Sequence, residues 1–223
     1  MSPLLGPVSL GYASLRNPAP SAAFCADAPA MIVHQTPLPG VLVIEPRVYE
    51  DERGFFLETY QRRRFAEAGI DLTFVQDNWS RSTRDTLRGL HYQITQPQAK
   101  LVQVVDGSVF DVAVDLRQDS PTFGRWYGTT LSAENHRQLL IPAGFAHGFL
   151  TTSESADFQY KCSEPYHRQS ERTLLWNDPE IGIEWPLEGE PLISEKDTRG
   201  LPLSEAECFD LAVDAGPGGP GDD

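Results

Sequence analysis

Positive charge is scarce in this chain: 18 Lys and Arg stand against 32 Asp and Glu, giving a formal net charge of -14. That balance excludes the broad basic footprint which a nucleic-acid backbone or an anionic membrane surface requires. An anionic ligand has to be met by a few cations gathered locally. The acidity itself reads first as solubility or a saline habitat, because net charge bears on solvation rather than on fold. Cysteine is nearly as rare. Cys25, Cys162 and Cys208 are odd in number, lie far apart and form no CxxC pair, so neither a disulfide framework nor zinc-finger spacing is present, and a reducing cytoplasm is the simplest setting. No run approaches the roughly 18 apolar residues of a spanning helix, and the N-terminus lacks a basic region followed by an apolar core. No repeat of solenoid length occurs. No Gly-rich loop follows a strand, which leaves Rossmann and P-loop readings without support.

With 223 residues, 40% of them hydrophobic, the chain is long enough for one sizeable core with tails. Residues 1–30 are rich in Pro, Ala, Ser and Gly, without periodicity, and are expected to be a disordered extension; Met31, where strand-like text begins, stands as an alternative start. Residues 31–203 form the expected domain. Residues 204–223 are acidic, contain the string Gly-Pro-Gly-Gly-Pro-Gly, and are expected to be a flexible tail.

Within the domain, short β-rich runs recur at 41–49, 55–60, 73–79, 87–93, 100–105, 108–116, 125–132, 137–142, 145–152 and 156–163, separated by turn signals. Such density predicts an all-β antiparallel sandwich or barrel. Asp106-Gly107 predicts a two-residue hairpin between the runs on either side of it. In the second of these, Phe110, Val112, Val114 and Leu116 share one face by period 2, and Val109, Asp111, Ala113 and Asp115 share the other, so one face is apolar and one mixed. A single helix is expected at Tyr60–Gly69, closed by Gly69, and Ser132–Asn135 reads as a turn.

Two of the five histidines, His91 and His147, sit in strand-like text. Taken alone, each is more often a hydrogen-bonded core histidine than a catalyst. Lys100 opens a strand continued at period 2 by Val102 and Val104. Either its ammonium projects with that apolar row and needs an anionic partner, or it snorkels to water from the strand end. Pro142-x-Gly144-x-x-His147 resembles the second half of the cupin signature, in which the histidine faces the interior of a jelly-roll barrel. The first half normally offers His-x-His followed by Glu; here the chain has His91-Tyr92-Gln93. A divalent metal would lack its usual N and O ligands, so no metal is expected.

Several segments resemble the dTDP-4-dehydrorhamnose 3,5-epimerase family. They are Asp51-Glu52-Arg53-Gly54-Phe55-Phe56, Phe74-Val75-Gln76-Asp77-Asn78, Leu87-Arg88-Gly89-Leu90-His91-Tyr92-Gln93, Ser120-Pro121-Thr122-Phe123-Gly124, Leu131-Ser132-Ala133-Glu134-Asn135, Ile141 to Phe149, Trp176-Asn177-Asp178-Pro179 and Ile193-Ser194-Glu195-Lys196-Asp197. The likeness runs in order from about 31 to about 203. It implies an all-β, cupin-like jelly-roll barrel with few short helices, working as a cytoplasmic homodimer without a cofactor. The implied substrate is dTDP-4-dehydro-6-deoxy-D-glucose, inverted at C3 and C5 for L-rhamnose synthesis. It also implies that His91 is the base, Asp197 its paired carboxylate, Tyr160 the proton donor and Lys100 the lysine near the ketone. Arg53, Glu58, Gln76, Asn78, Arg88, His147, Glu171 and Lys196 fall on positions that contact nucleotide, diphosphate or sugar; the aromatic rings of Phe55 and Tyr166 are of a kind that could stack on thymine or line its slot.

The chemistry accounts for these residue types. A hydrogen beside a ketone leaves as a proton only if a base takes it and a cation stabilises the enolate oxygen; inversion then needs a donor on the opposite face. One conflict stands within the set, since strict alternation sends Arg88 and His91 to opposite faces. Either a bulge at Gly89 turns one inward, or Arg88 serves a neighbouring subunit. The alternatives are an epimerase of C3 only or C5 only, a metal-dependent cupin enzyme, and a non-catalytic sugar-nucleotide binder.

Overall fold

The computed structural model describes residues 31–210, so the expectations for residues 1–30 and for the tail beyond 210 lie outside the described residues. The chain enters through β1 (Met31–Gln35) and β2 (Leu42–Pro46), then forms a separate hairpin of β3 (Val48–Asp51) and β4 (Gly54–Leu57). A helix, α1 (Arg62–Glu67), follows. The strands β5 (Gln76–Thr83), β6 (Thr86–Gln93), β7 (Lys100–Asp106) and β8 (Ser108–Asp115) come next. They are followed by β9 (Trp126–Ser132), β10 (Gln138–Ile141), β11 (Phe145–Thr151) and β12 (Ser155–Cys162). Two short strands, β13 (Glu171–Thr173) and β14 (Leu192–Ile193), and two 3-10 turns, Asp197–Arg199 and Leu203–Glu205, complete the described chain.

One sheet runs β1-β2-β10-β7-β12-β5 and the other β13-β6-β11-β8-β9, with β14 added in parallel beside β6. Val43, Val102, Val104, Leu139, Ile141 and Phe158 from the first interlock with Val109, Ala113, Leu131, Phe145 and Phe149 from the second. Phe149 and Phe158 stack across this gap with ring centroids 4.2 Å apart. The result is the expected cupin-like jelly-roll barrel, an all-β fold with one short α-helix among the described residues.

The helix is shorter than the expected span but stops where the sequence says it should. Gln61 caps it by accepting the Arg64 amide hydrogen; at the other end Gly69, at φ +86°, donates to the Ala66 carbonyl and Ile70 to that of Phe65. Those two bonds form a Schellman motif, and Phe65 and Ile70 share one buried cluster. The expected turn at Ser132–Asn135 is closed reciprocally, with each side chain accepting the other residue's amide hydrogen at 3.1 Å.

Two expectations are corrected. Asp106-Gly107 does not close a hairpin: β7 is flanked by β10 and β12, whereas β8 is flanked by β9 and β11, so Gly107 is a corner between sheets. Val102 and Val104 of β7 meet Val109 and Ala113 of β8 across the core, an arrangement that edge-to-edge pairing would prevent. Gly107 is required for a further reason, since its φ is +73° and a Cβ there would collide with the Ser155 carbonyl. The second correction concerns the tail expected from 204. Residues 204–210 pack, with Phe209 buried against the Tyr92 ring and bonded through its amide to the Leu116 carbonyl.

That packing explains the two faces of β8. The apolar one, Val112, Val114 and Leu116, lies outside the barrel under a layer built from Leu174, Ile181, Leu203 and Phe209. The mixed one, with Asp111, lies toward the barrel interior, where Val109 and Ala113 join the core. Between β6 and β11 the register slips: His91 pairs with His147 but Arg88 with Phe149, so β6 carries one extra residue, a bulge at Gly89-Leu90. Gly89 and Gly148 meet here with no room for a side chain, since a Cβ on Gly148 would stand 2.6 Å from the Arg88 carbonyl oxygen. Gly148→Ala is expected to destabilise the fold by about 1–3 kcal/mol, the usual range for overpacking. Denaturant unfolding checks this, and a midpoint equal to that of the parent chain would show that the two strands separate freely.

Candidate active site

Because β6 bulges, residues three apart reach the same space. Arg88 and His91 both line a cavity of about 540 Å³ together with Lys100, His147, Phe158, Tyr160, Lys196 and Asp197. Arg88 therefore reaches the cavity of its own chain, held by its Nε–H to Ser82 Oγ at 2.9 Å. A second recess of about 320 Å³ shares His91, Lys100 and Tyr160 and adds Gln76, Asn78, Gln93, Tyr166 and Glu171. The strands β6, β7, β11 and β12 supply the four residues His91, Lys100, His147 and Tyr160, and the 3-10 turn after β14 supplies Asp197.

His91 Nε2 lies 2.6 Å from Asp197 Oδ1. The carboxylate is 4% exposed and the imidazole 29%, so the pair stands at the cavity wall with the acid behind the ring. Burial alone would raise the Asp197 carboxyl, but the His91 hydrogen bond and charge, the Gly89 amide and the Ser194 hydroxyl outweigh it and hold the group below its ordinary value. Asp197 is thus an anion that fixes the ring's tautomer, with Nε2 engaged and Nδ1 left for a proton from elsewhere.

Lys100 is buried, and its Nζ donates to the His91 carbonyl at 3.4 Å. Burial pushes the ammonium down, against the pull of Cys162, Asp111 and Glu171. Of the two readings of this lysine, projection with the apolar row is the one realised. Tyr160 lies between both recesses, its phenol raised by burial and therefore protonated at neutral pH. His147 is buried, with Nε2 at 3.1 and 3.0 Å from the two oxygens of Asp111. Burial lowers the histidine and raises the aspartate, so desolvation dominates both members of this interior pair. Asp111 was missed as a site residue; its signal was an acid at an inward period-2 position between Val109 and Ala113.

In the second recess Gln76 donates to Asn78 Oδ1 at 3.0 Å and accepts the Tyr166 amide at 2.8 Å. Glu171 accepts from the Tyr166 hydroxyl at 2.9 Å and is ion-paired with Lys196. Burial would raise Glu171, but the Lys196 and Tyr166 hydrogen bonds hold it below its ordinary value.

Three expected site residues stand apart. Arg53 sits at the tip of the β3–β4 hairpin, where it binds Asp51 and holds that carboxyl down at about 2. Glu58 pairs with Arg64 at 2.8 Å, and Phe55 is 60% exposed. None of the three lines either recess. The hairpin belongs to neither sheet, and its Phe55 ring packs against His136 with centroids 4.7 Å apart. Among the described residues, no three His, Cys, Asp or Glu side chains are grouped to hold a metal ion.

The family described as dTDP-4-dehydrorhamnose 3,5-epimerase matches residues 35–205. The epimerase of that name from Pseudomonas aeruginosa is 58% identical over 173 residues, covering 77% of this chain and 96% of that protein. A crystal structure of the 3,5-epimerase from Legionella pneumophila, in complex with dTDP-4-keto-L-rhamnose, superposes with a TM-score of 0.78 at 50% identity, covering 79% of this chain and 95% of that one. A 3'-monoepimerase from Streptomyces bikiniensis, solved with dTDP-quinovose, is 36% identical with a TM-score of 0.73, covering 77% and 87%. The chain belongs to the dTDP-4-dehydrorhamnose 3,5-epimerase family.

Proposed function

We propose that this chain inverts C3 and C5 of dTDP-4-dehydro-6-deoxy-D-glucose, giving dTDP-4-dehydro-L-rhamnose, by proton removal from one face and return to the other. The observation that carries this reading is the His91–Asp197 pair opening on the same cavity as Lys100 and Tyr160. His91 Nδ1 takes the proton beside the ketone, and the imidazolium so formed is stabilised by the Asp197 anion. The electron pair moves to the carbonyl oxygen, where the Lys100 ammonium stabilises the enolate. The Tyr160 phenol then delivers a proton to the opposite face of the carbon. Carbon and oxygen end at their starting oxidation levels, so no step consumes a redox cofactor.

Arg88 and Lys196 suit the diphosphate, the guanidinium fork above all. Gln76, Asn78 and Glu171 offer donors and acceptors to sugar and base. The reading places the reaction in the cytoplasm, where Cys162 and Cys208, both free thiols, stay reduced. It also makes the working unit a homodimer. What supports the dimer is that Arg53 and Phe55, on the β3–β4 hairpin, and Glu58, just after it, line neither recess of their own chain, while Phe56 beside them is 63% exposed. A second copy would take that apolar tip out of water and receive the arginine in its own site. Likeness to a monoepimerase supports a second reading in which one centre alone is inverted.

His91→Ala is expected to abolish solvent deuterium exchange into the substrate while leaving dTDP affinity within about threefold, since a base contributes to the transition state rather than to ground-state binding. Proton NMR in deuterium oxide checks both the variant and the number of centres exchanged. Normal exchange in that variant would remove His91 as the base. Tyr160→Phe is expected to slow product formation more than exchange, because the first proton can return to the face it left; equal loss of both would argue against a separate donor. For the dimer, Arg53→Ala and His91→Ala subunits, each impaired alone, are expected to regain activity when refolded together, as one mixed site carries neither substitution. No recovery on mixing would place Arg53 outside the partner's site.

A further inference from the structure

Tyr166 reaches the second recess from the loop between β12 and β13. The residue is 52% exposed, yet it is tied at both ends: its amide donates to Gln76 Oε1 at 2.8 Å and its hydroxyl to Glu171 Oε2 at 2.9 Å. An aromatic surface kept in water at a fixed place suits a planar ligand.

The residues on either side of Tyr166 are bound by one buried side chain. Gln93 lies two residues after His91 on β6, pairs in register with Glu171 of β13 and lines the same recess. Its Oε1 accepts the His167 amide hydrogen at 2.7 Å, and its Nε2 donates to the carbonyls of Pro165 at 3.3 Å and Gln96 at 2.9 Å. The carboxamide therefore straddles Tyr166 and reaches the β6–β7 loop as well. One N–H facing Oε1 and two carbonyls facing Nε2 fix which way the amide points, and only a group that donates and accepts at once meets all three. A carboxylate in its place would set an anion against two carbonyl oxygens.

Resting on the reading above, we propose that Gln93 is a positioning residue for the nucleotide, its carboxamide fixing the backbone of residues 165–167 so that Tyr166 stands at the recess as a stacking surface for the base. Other bonds hold the two ends of this loop. At one end the Ser163 hydroxyl accepts the Ala99 amide hydrogen and Gln98 donates to the Glu164 carbonyl, both at 2.8 Å. At the other the Ser170 carbonyl accepts the Ile94 amide at 2.9 Å, and the Ser170 hydroxyl meets that of Thr95. Between these ends the Pro165 carbonyl and the Tyr166 and His167 amides are met by Gln93 and Gln76. The three bonds of the Gln93 amide go to loop backbone and none to His91, Lys100 or Tyr160, so its role lies in binding and not in proton transfer.

The test uses the full chain and dTDP itself. Gln93→Met, close to glutamine in volume but without its amide, should weaken dTDP affinity by about tenfold in calorimetry and raise KM in step, with kcat within about threefold. Because Gln93 acts through Tyr166, the effect should vanish where the ring is gone: Gln93→Met added to Tyr166→Ala should weaken dTDP by less than about twofold further. A methionine variant with parent-like dTDP affinity would overturn the proposal, and so would full additivity of the two losses. Should the methionine variant fail to fold, Gln93→Glu, which keeps the acceptor for the His167 amide and loses both donated bonds, takes its place in the same cycle. Hydrogen exchange gives a reading that needs no ligand, since the Tyr166 and His167 amides should exchange about tenfold faster in the variant. A parent chain that binds no dTDP would sink the functional reading; the exchange rates would then decide whether Gln93 holds the loop, and unchanged rates would overturn that too.

Discussion

The hydrogen bond between His91 and Asp197 joins residues 106 positions apart, and much of the fold's irregularity exists to make it. A carboxylate at 4% exposure is tolerable only if its oxygens are bonded, and a histidine is useful as a base only if one nitrogen is left free. Three features meet these demands. The bulge in β6 turns the strand so that His91 and Arg88 share a cavity and the Gly89 amide points at Asp197. The short parallel strand β14 brings the late turn alongside β6. The glycine contact between β6 and β11 lets the two strands close over the bulge without a side chain between them.

The barrel also keeps a polar interior, and the layer outside it explains how that is affordable. An ordinary sandwich buries its apolar faces inward and leaves the outer faces to water. Here β8 turns Val112, Val114 and Leu116 outward, and the segment from Leu174 to Phe209 covers them. Burial on that outer side stabilises the sheet independently of what lies within. The inner side is then free to hold Asp111 against His147, with Lys100 among them, groups that a core working alone would expel. The inner face of β8 thus carries both core residues, Val109 and Ala113, and the polar Asp111, while the outer face adds a second apolar layer.

What the sequence disclosed follows the range of the physics behind each signal. Gly69 closed the helix because the left-handed conformation at that point is a local requirement, and a glycine within a strand announced the bulge for the same reason. The alternation along β8 separated its two faces correctly. Asp106-Gly107 misled because a two-residue turn signal says that the chain reverses, not which strand lies beside it afterwards; that depends on β10 and β12, far off in sequence. The packing of Phe209 was hidden by an acidic, Gly/Pro-rich neighbourhood, where composition outweighed a single aromatic. Asp111 drew no notice as a site residue because its partner His147 lies 36 residues away. His91, Lys100, Tyr160 and Asp197 were legible as a set through resemblance alone, since no periodicity connects four separate segments.

The scarcity of cations gives the cavity a direction. Many Arg and Lys side chains of the described residues are spent in ion pairs: Arg81 with Asp157, Arg117 with Asp115, Arg137 with Glu45, Lys161 with Asp77, Arg172 with Glu207. Of the three cations that line the main cavity, Lys196 is paired with Glu171, whereas Arg88 is anchored by a neutral serine hydroxyl and Lys100 by a backbone carbonyl. An anion entering this space meets two cations not neutralised by direct ion pairs and a third that must exchange a carboxylate for it. In a chain of net charge -14, long-range repulsion works against an anionic substrate, so its capture rests on these short-range contacts. A ligand carrying a diphosphate offers several oxygens at once, enough to engage Arg88 and compete for Lys196 while a neutral carbonyl remains for Lys100. On the proposed function, charge economy separates holding the nucleotide from activating the ketone and gives the two tasks to different cations.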